Sequence, residues 1–370
     1  MDPILRRTPS LQIHPSRRCN LTCRHCYSSS GPREATTLAP GVIRDVLDDA
    51  VAQGYRRLAI SGGEPLMYRG LSEVVQHAHD LGMSTTLTTN GMLLTPVRVE
   101  ALAPFIEGVA VSVDGKPDSH DHIRGRAGAF EAMRGRLSHL RNAGVTFGFI
   151  FTLTQHNLHE LPWVAEFAVR EGASQLQIHP VEAAGRGSTL MPGAAPDEHE
   201  RAWAFLLMSR LAAQYRGTLS IQLDFVDRMS LATDPSLILA DASPSSDAVL
   251  SDWLDLLVLE SDGTMVPLQY GFPRDFALGN IRTARLPGLA ERWVEARGED
   301  FRALCREVHA EMLDPDALPF HNWFECIAKA AQSRPHRGHA RLPLLRPADS
   351  TVHSRVPTRG SPRREPGCVH

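Results

Sequence analysis

The sequence predicts an α/β protein: a partial (β/α)6 TIM-like barrel, then a small α+β C-terminal extension and a disordered tail. Three observations carry this expectation. Between residues 11 and 180, short β-patterned runs alternate six times with helical ones, the pattern of parallel strands joined by right-handed crossovers. After Pro192 that alternation stops. From Gln332 onward Pro, Arg, His and Ser dominate with few apolar side chains, too little apolar surface to build a core. The expected division is 1–192 for the barrel, 193–331 for the extension and 332–370 for the tail.

The 370 residues, 42% of them hydrophobic, can bury a large core. A net charge of −3 gives no global field favouring nucleic acid. Residues 1–9 carry basic side chains without the apolar core of a signal peptide, and no later run approaches the roughly 20 apolar residues of a membrane span. A cytoplasmic location, with no membrane association, is the expectation.

Residues 11–15 alternate apolar and polar side chains and read as the first strand. Residues 40–53 are helical in spacing, and 57–61 form a strand that runs into Gly62, Gly63, Glu64 and Pro65. A helix over 71–81 and a strand over 84–88 follow, the latter closed by Thr89, Asn90 and Gly91. Residues 95–103 read as a helix with Pro96 at its start, where a missing amide donor does no harm. The strand over 108–113 leads into Ser112, Val113, Asp114 and Gly115; a helix over 130–142 and a β-branched, aromatic strand over 145–152 come next. A helix over 158–171 and a strand over 175–179 complete six units. In a parallel α/β barrel the loops leaving the C-terminal ends of strands hold the chemistry, so residues 62–65 are candidate site positions. In the extension, a helix over 197–214, an edge strand over 218–223, a connector over 234–252 and a hairpin turning at Ser261, Asp262 and Gly263 precede helices over 288–297, 300–313 and 322–331.

Half of the six cysteines lie in one short loop after the first strand, Cys19, Cys23 and Cys26, spaced C-x3-C-x2-C. Thiolates are the usual ligands of iron–sulfur clusters, and three of them leave one iron of a cubane without a protein ligand. A Cys3His zinc site using His25 is the competing reading, but His25 lies between two of its fellow ligands in sequence. Disulfides are not expected, since a reducing cytosol disfavours them and no secretory signal is read in residues 1–9.

This motif, with Tyr27 beside it and Gly-Gly-Glu-Pro following the second strand, resembles the radical S-adenosylmethionine (SAM) superfamily. The resemblance implies one [4Fe-4S] cluster on Cys19, Cys23 and Cys26, with the amino and carboxylate groups of SAM on the open iron. It implies reductive cleavage of SAM to a 5′-deoxyadenosyl radical that abstracts hydrogen from a substrate, and a flavodoxin or ferredoxin-type reductant. Gly62, Gly63 and Glu64 are then candidates for the SAM amino group, with Asn90 beside them. Ser112 and Asp114 are candidates for the ribose hydroxyls and Arg124 for the carboxylate, since a guanidinium fork suits a carboxylate. Residues 180–187, rich in glycine, pack on adenine in that family. Without it, Gly62-Gly63 reads as a tight turn and Asp114 as a turn residue before Gly115.

The hairpin resembles the SPASM or twitch extension of peptide-maturing members, which places a cysteine after the second strand's proline; here Leu268 follows Pro267. An auxiliary cluster is therefore not expected, and Cys305 and Cys326 read as core thiols. The implied substrate is a ribosomally made peptide, with tetrapyrrole or other small-molecule biosynthesis as the alternative. A non-catalytic iron–sulfur redox sensor is a third reading, one with no use for Gly-Gly-Glu-Pro. The basic tail reads as a solvated appendage, with docking of an acidic leader peptide as the alternative.

Overall fold

The computed structural model describes residues 8–235 and 248–334. In chain order its strands are β1 (Ser10–Ile13), β2 (Arg57–Ile60), β3 (Ser84–Thr89), β4 (Gly108–Ser112), β5 (Phe147–Leu153), β6 (Gln175–Pro180), β7 (Ser220–Leu223), β8 (Val226–Asp227), β9 (Leu256–Leu259), β10 (Thr264–Pro267), β11 (Gly279–Asn280) and β12 (Phe320–His321). Ten of them form one sheet in the order β11-β10-β9-β1-β2-β3-β4-β5-β6-β7, and β12 pairs with β8. The run from β1 to β6 is parallel throughout, as the alternation predicts.

Both ends of this run are extended. β7 adds in parallel to β6, with Leu176 opposite Ile221. β9 adds in parallel to β1, from Ser10 opposite Leu256 to Ile13 opposite Leu259. Its hairpin partner β10 returns antiparallel, with Met265 opposite Leu259, so the expected hairpin forms and also continues the sheet. The order runs from β11 to β7 without closing.

Along β5, Phe147, Phe149, Phe151 and Leu153 are buried while Gly148, Ile150 and Thr152 are half-buried. The buried face packs on helices, where the Phe149 and Phe167 rings stack at 5.2 Å and Trp163 stacks on Phe167 at 5.3 Å. An open groove of about 130 Å3 lies toward the N-terminal ends of β4–β6, lined by Thr86, Gly108, Ala110, Ile150, Gln175 and Gln177 among others, at the end of the strands away from the cysteine loop.

Helix Pro40–Ala52, with Pro40 in its first turn, and helix Leu71–Asp80 match the pattern. Asp197 caps Glu198–Gln214 through a reciprocal bond set with Glu200. The single helix expected over 130–142 is two, Ala129–Arg134 and Leu137–Asn142, with Gly135 between them. A helix not expected, Pro117–Arg124, follows β4 and stops at Gly125 in a left-handed turn, φ 66°. Tyr55, fully buried, donates to the Leu254 carbonyl at 2.9 Å and ties the β2 approach to the β9 approach. Trp293 donates to the Phe276 carbonyl at 2.8 Å in the core under β10. Most of the connector, residues 236–247, and the tail from 335, with its arginines and Cys368, lie outside the described residues.

Candidate functional site

The cysteine loop leaves β1 and is held by three neighbouring elements. The first is the loop after β2. Gly63 N–H donates to the Ser16 carbonyl and Glu64 N–H to the Arg18 carbonyl, each at 2.9 Å. Gly62 has φ 111°, and a Cβ there would sit 2.8 Å from the Ser16 oxygen; a Cβ on Gly63 would lie 2.6 Å from the Arg18 carbonyl carbon and overlap its oxygen. The adjacent glycines are thus required by contact between the two loops. A third close approach comes from the loop after β6, where a Cβ on Gly185 would overlap the Tyr27 and Cys26 carbonyls and Arg186 N–H donates to the Cys26 carbonyl at 2.9 Å. The glycine-rich exit that the resemblance places on adenine packs here on the cysteine loop.

Glu64 is buried, and its carboxylate is engaged within the protein. Oε1 accepts from Leu66 N–H at 3.1 Å and the Thr89 hydroxyl at 2.7 Å, and Oε2 accepts from Asn90 N–H at 2.9 Å. Burial raises its pKa although those donors oppose the rise. Glu64 thereby bolts the end of β3 to the loop after β2, and Asn90 Nδ2 in turn donates to Asn20 Oδ1 in the cysteine loop at 2.8 Å. Among the described residues no amide donates to the Gly62 or Gly63 carbonyl.

The second neighbour is the end of β4 with the helix after it. Ser112 ends β4, and Asp114, fully buried, stands at the centre of a charged network. Its Oδ2 lies 2.6 Å from Arg124 Nε and 3.1 Å from His25 Nε2, and its Oδ1 accepts from Thr152 N–H at 3.3 Å. Burial alone would raise the Asp114 carboxyl, but Arg124 and then His25 hold it well below the usual carboxylate range. Arg24 N–H donates to the Ile123 carbonyl at 2.8 Å, which docks the cysteine loop on the helix end that carries Arg124. Arg124 Nη1 reaches Cys23 Sγ at 3.8 Å.

The three thiols therefore sit on one loop, Cys19 and Cys23 buried and Cys26 half-buried, none of them in a disulfide. Each sulfur has a hydrogen-bonding neighbour: Leu21 N–H on Cys19 at 3.4 Å, Arg124 on Cys23, and the Ser28 hydroxyl beside Cys26 at 3.4 Å. Donors to sulfur are the outer shell that steadies thiolate ligands. Burial pushes the Cys19 thiol up to about 12 and raises Cys23 as well, so metal binding must displace their protons. His25, which a Cys3His zinc site would need as its fourth ligand, turns Nε2 to Asp114 instead. The donor set, three thiols and their hydrogen bonds, fits a [4Fe-4S] cluster with one iron left open.

Two groups that sequence reasoning did not single out lie beside this loop. Fully buried His14 packs on Tyr270 at 4.7 Å and on Tyr27 at 6.0 Å, and burial lowers its pKa to about 3. His179, near the end of β6, is bracketed by Asp224 at 2.9 Å and Glu182 at 3.1 Å. Burial opposes the charged ring, but the two hydrogen-bonded carboxylates raise its pKa to about 10.

Residues 13–168 match a radical SAM domain, the family model described as the radical SAM superfamily. The match takes in the three cysteines and Gly62, Gly63, Glu64, Asn90, Ser112, Asp114 and Arg124, and ends before residues 180–187. The superfamily's cofactors are a [4Fe-4S] cluster and SAM. An Fe-coproporphyrin III synthase of Methanosarcina barkeri is 29% identical over 206 residues, covering 55% of this chain and 52% of that protein. A PqqA peptide cyclase of Ruegeria pomeroyi is 29% identical over 254 residues, 68% of this chain and 64% of that one. The chain spans about half the length of the first curated relatives it matches. The structure of Streptococcus suis SuiB bound to precursor peptide SuiA covers 81% of this chain and 68% of its own, at TM-score 0.61 and 16% identity, a likeness of fold. Among the described residues no helix is long and apolar enough to cross a membrane.

Proposed function

We propose that this protein is a radical SAM enzyme acting on a ribosomally made peptide, with its [4Fe-4S] cluster held by Cys19, Cys23 and Cys26. The observation that carries the reading is the cysteine loop itself, three thiols each with a hydrogen-bonding neighbour, keyed by Gly62 and Gly63 into the loop after β2. When bound, the cluster and SAM supply a reducing electron and a 5′-deoxyadenosyl group able to take hydrogen from carbon. The protein's own residues place and enclose. The Gly62 and Gly63 carbonyls offer acceptors for an ammonium group, while Asn90 and Ser112 stand at the neighbouring strand ends. Glu64 and Asp114 act from behind, since their carboxylates are already engaged. The Arg124 guanidinium has further donors beyond those on Asp114 and Cys23 and suits the SAM carboxylate. We assign this work to residues 1–192 and substrate enclosure to residues 193–331. A flavodoxin or ferredoxin-type protein is the proposed electron source.

The peptide cyclase match runs further along the chain than the porphyrin-pathway match, 68% against 55%, which supports a peptide. A tetrapyrrole remains the second reading because haem-synthase relatives match at 32% and 33% identity. The test is anaerobic reconstitution with iron and sulfide, then addition of SAM and dithionite with and without candidate substrates. Expected are about four irons per chain and 5′-deoxyadenosine, both lost in C19S, C23S and C26S. A redox sensor would load iron and yield no 5′-deoxyadenosine with any substrate.

A further inference from the structure

The charged network around Asp114 has a polarity. Its cation, Arg124, is 7% exposed, lies against the sulfur of Cys23 at 3.8 Å, and has its anion, Asp114, on the other side at 2.6 Å from Nε. Both anchors are built into the fold. Asp114 receives the Thr152 amide at 3.3 Å, its backbone carbonyl accepts from Asn157 Nδ2 at 3.0 Å, and its own N–H donates to His120 Nδ1 at 3.2 Å. Arg124 is the last residue of helix Pro117–Arg124, whose end is fastened to the cysteine loop through the Ile123 carbonyl; a Cβ on Gly125 would come 3.1 Å from the Thr22 oxygen. His25, inside the cysteine loop, bonds the same carboxylate oxygen that faces Arg124. A guanidinium held this way cannot swing off the sulfur without breaking a buried ion pair.

We propose that Arg124 is a positioning residue that raises the reduction potential of the cluster by holding a fixed cation and an N–H donor against Cys23, with Asp114 as the counter-charge that limits the rise. Reduction adds negative charge to the cluster and its sulfurs, so a nearby cation and a donor to sulfur stabilise the reduced form, while a nearby anion opposes it. Burial keeps both effects from being screened. The inference rests on the cysteine-ligand reading above and concerns the cluster before SAM arrives.

The test is an EPR-monitored redox titration of the reconstituted enzyme without SAM, alongside iron counts and thermal melts of each variant. R124Q is expected to keep its iron and to shift the midpoint to more negative potential. R124K keeps the charge but cannot reach both Asp114 and Cys23, and falls between R124Q and wild type. D114N is expected to shift the midpoint the opposite way, to more positive potential. A merely structural role would not give opposite signs from the two partners. Wild-type potentials in iron-loaded R124Q and R124K would overturn the assignment. Loss of iron from both Arg124 variants with the fold intact would also overturn it, because a tuning contact is not needed for ligation. Failure of the wild type itself to bind iron would instead sink the underlying cluster reading.

Discussion

Gly63 separates two accounts of the loop after β2. If its glycines serve only the approach of SAM, an alanine there harms SAM binding alone; if they serve the cysteine loop, it harms the apo fold and iron loading. Gly63 does not have a positive φ, so G63A adds no backbone strain of the left-handed kind and only the clash counts. The new Cβ would lie 2.6 Å from the Arg18 carbonyl carbon, and Arg18 would have to retreat at least to 3.0 Å there and further at its oxygen. The obstacle is backbone on both sides, with no flexible side chain to yield. Overpacking of this kind costs about 1–3 kcal/mol. The retreat also stretches the 2.9 Å bond from Glu64 N–H to the Arg18 carbonyl, worth about 1 kcal/mol. Together these give about 2–4 kcal/mol, or a fall in apo Tm of roughly 3–5 °C for a chain of 370 residues. The assay is a thermal melt of the apo protein followed by iron counting after reconstitution, with G41A as control. Gly41 lies in helix Pro40–Ala52, and a Cβ there would come no closer than 3.8 Å to Arg44. G63A with unchanged Tm and full iron would refute the loop-contact account.

D114N should destabilise the apo fold by about 3–5 kcal/mol, because it strands the buried Arg124 guanidinium; denaturant unfolding measures this, and a change under about 1 kcal/mol would contradict the burial argument. His179 gives a pH signature. Its folded pKa of about 10 lies above the unfolded value near 6.5, so the stabilisation is fully present below 6.5 and is lost as pH rises through 10. Wild type should therefore lose Tm across that window and H179Q should lose less; parallel profiles would show that the ring is not held charged. Y55F removes the donor to the Leu254 carbonyl and should cost about 1–3 kcal/mol by the same unfolding measurement.

The chemistry-bearing stretches were legible because they are local. Three cysteines in one loop, a Gly-Gly-Glu-Pro turn after a β-patterned run, and an Asp after the fourth strand each declare themselves within a few residues. The parallel strands from β1 to β6 were legible for the same reason, since strand and helix periods show in short windows. Pairings across distance were not. Nothing in residues 256–259 says that they join β1, because a four-residue apolar run carries no register. Helix Pro117–Arg124 was hidden by its polarity, with Ile123 its sole aliphatic side chain, although Pro117 at its start and Gly125 after its end are the expected punctuation. His25 entered the sequence reading only as the fourth ligand of a competing zinc site, because its partner, Asp114, follows β4. The bracket of His179 by Glu182 and Asp224 depends on β7 pairing with β6. Glycine's need at position 63 was visible, but which backbone it admits was not.

The central claim is a cluster on Cys19, Cys23 and Cys26 with one iron open to SAM. The direct measurement is the EPR spectrum of the dithionite-reduced, anaerobically reconstituted protein before and after SAM is added. The account predicts a cubane signal whose g-values change on addition of SAM, as a new ligand reaches the open iron. A signal identical with and without saturating SAM, or a purified protein carrying zinc in place of iron, would contradict it.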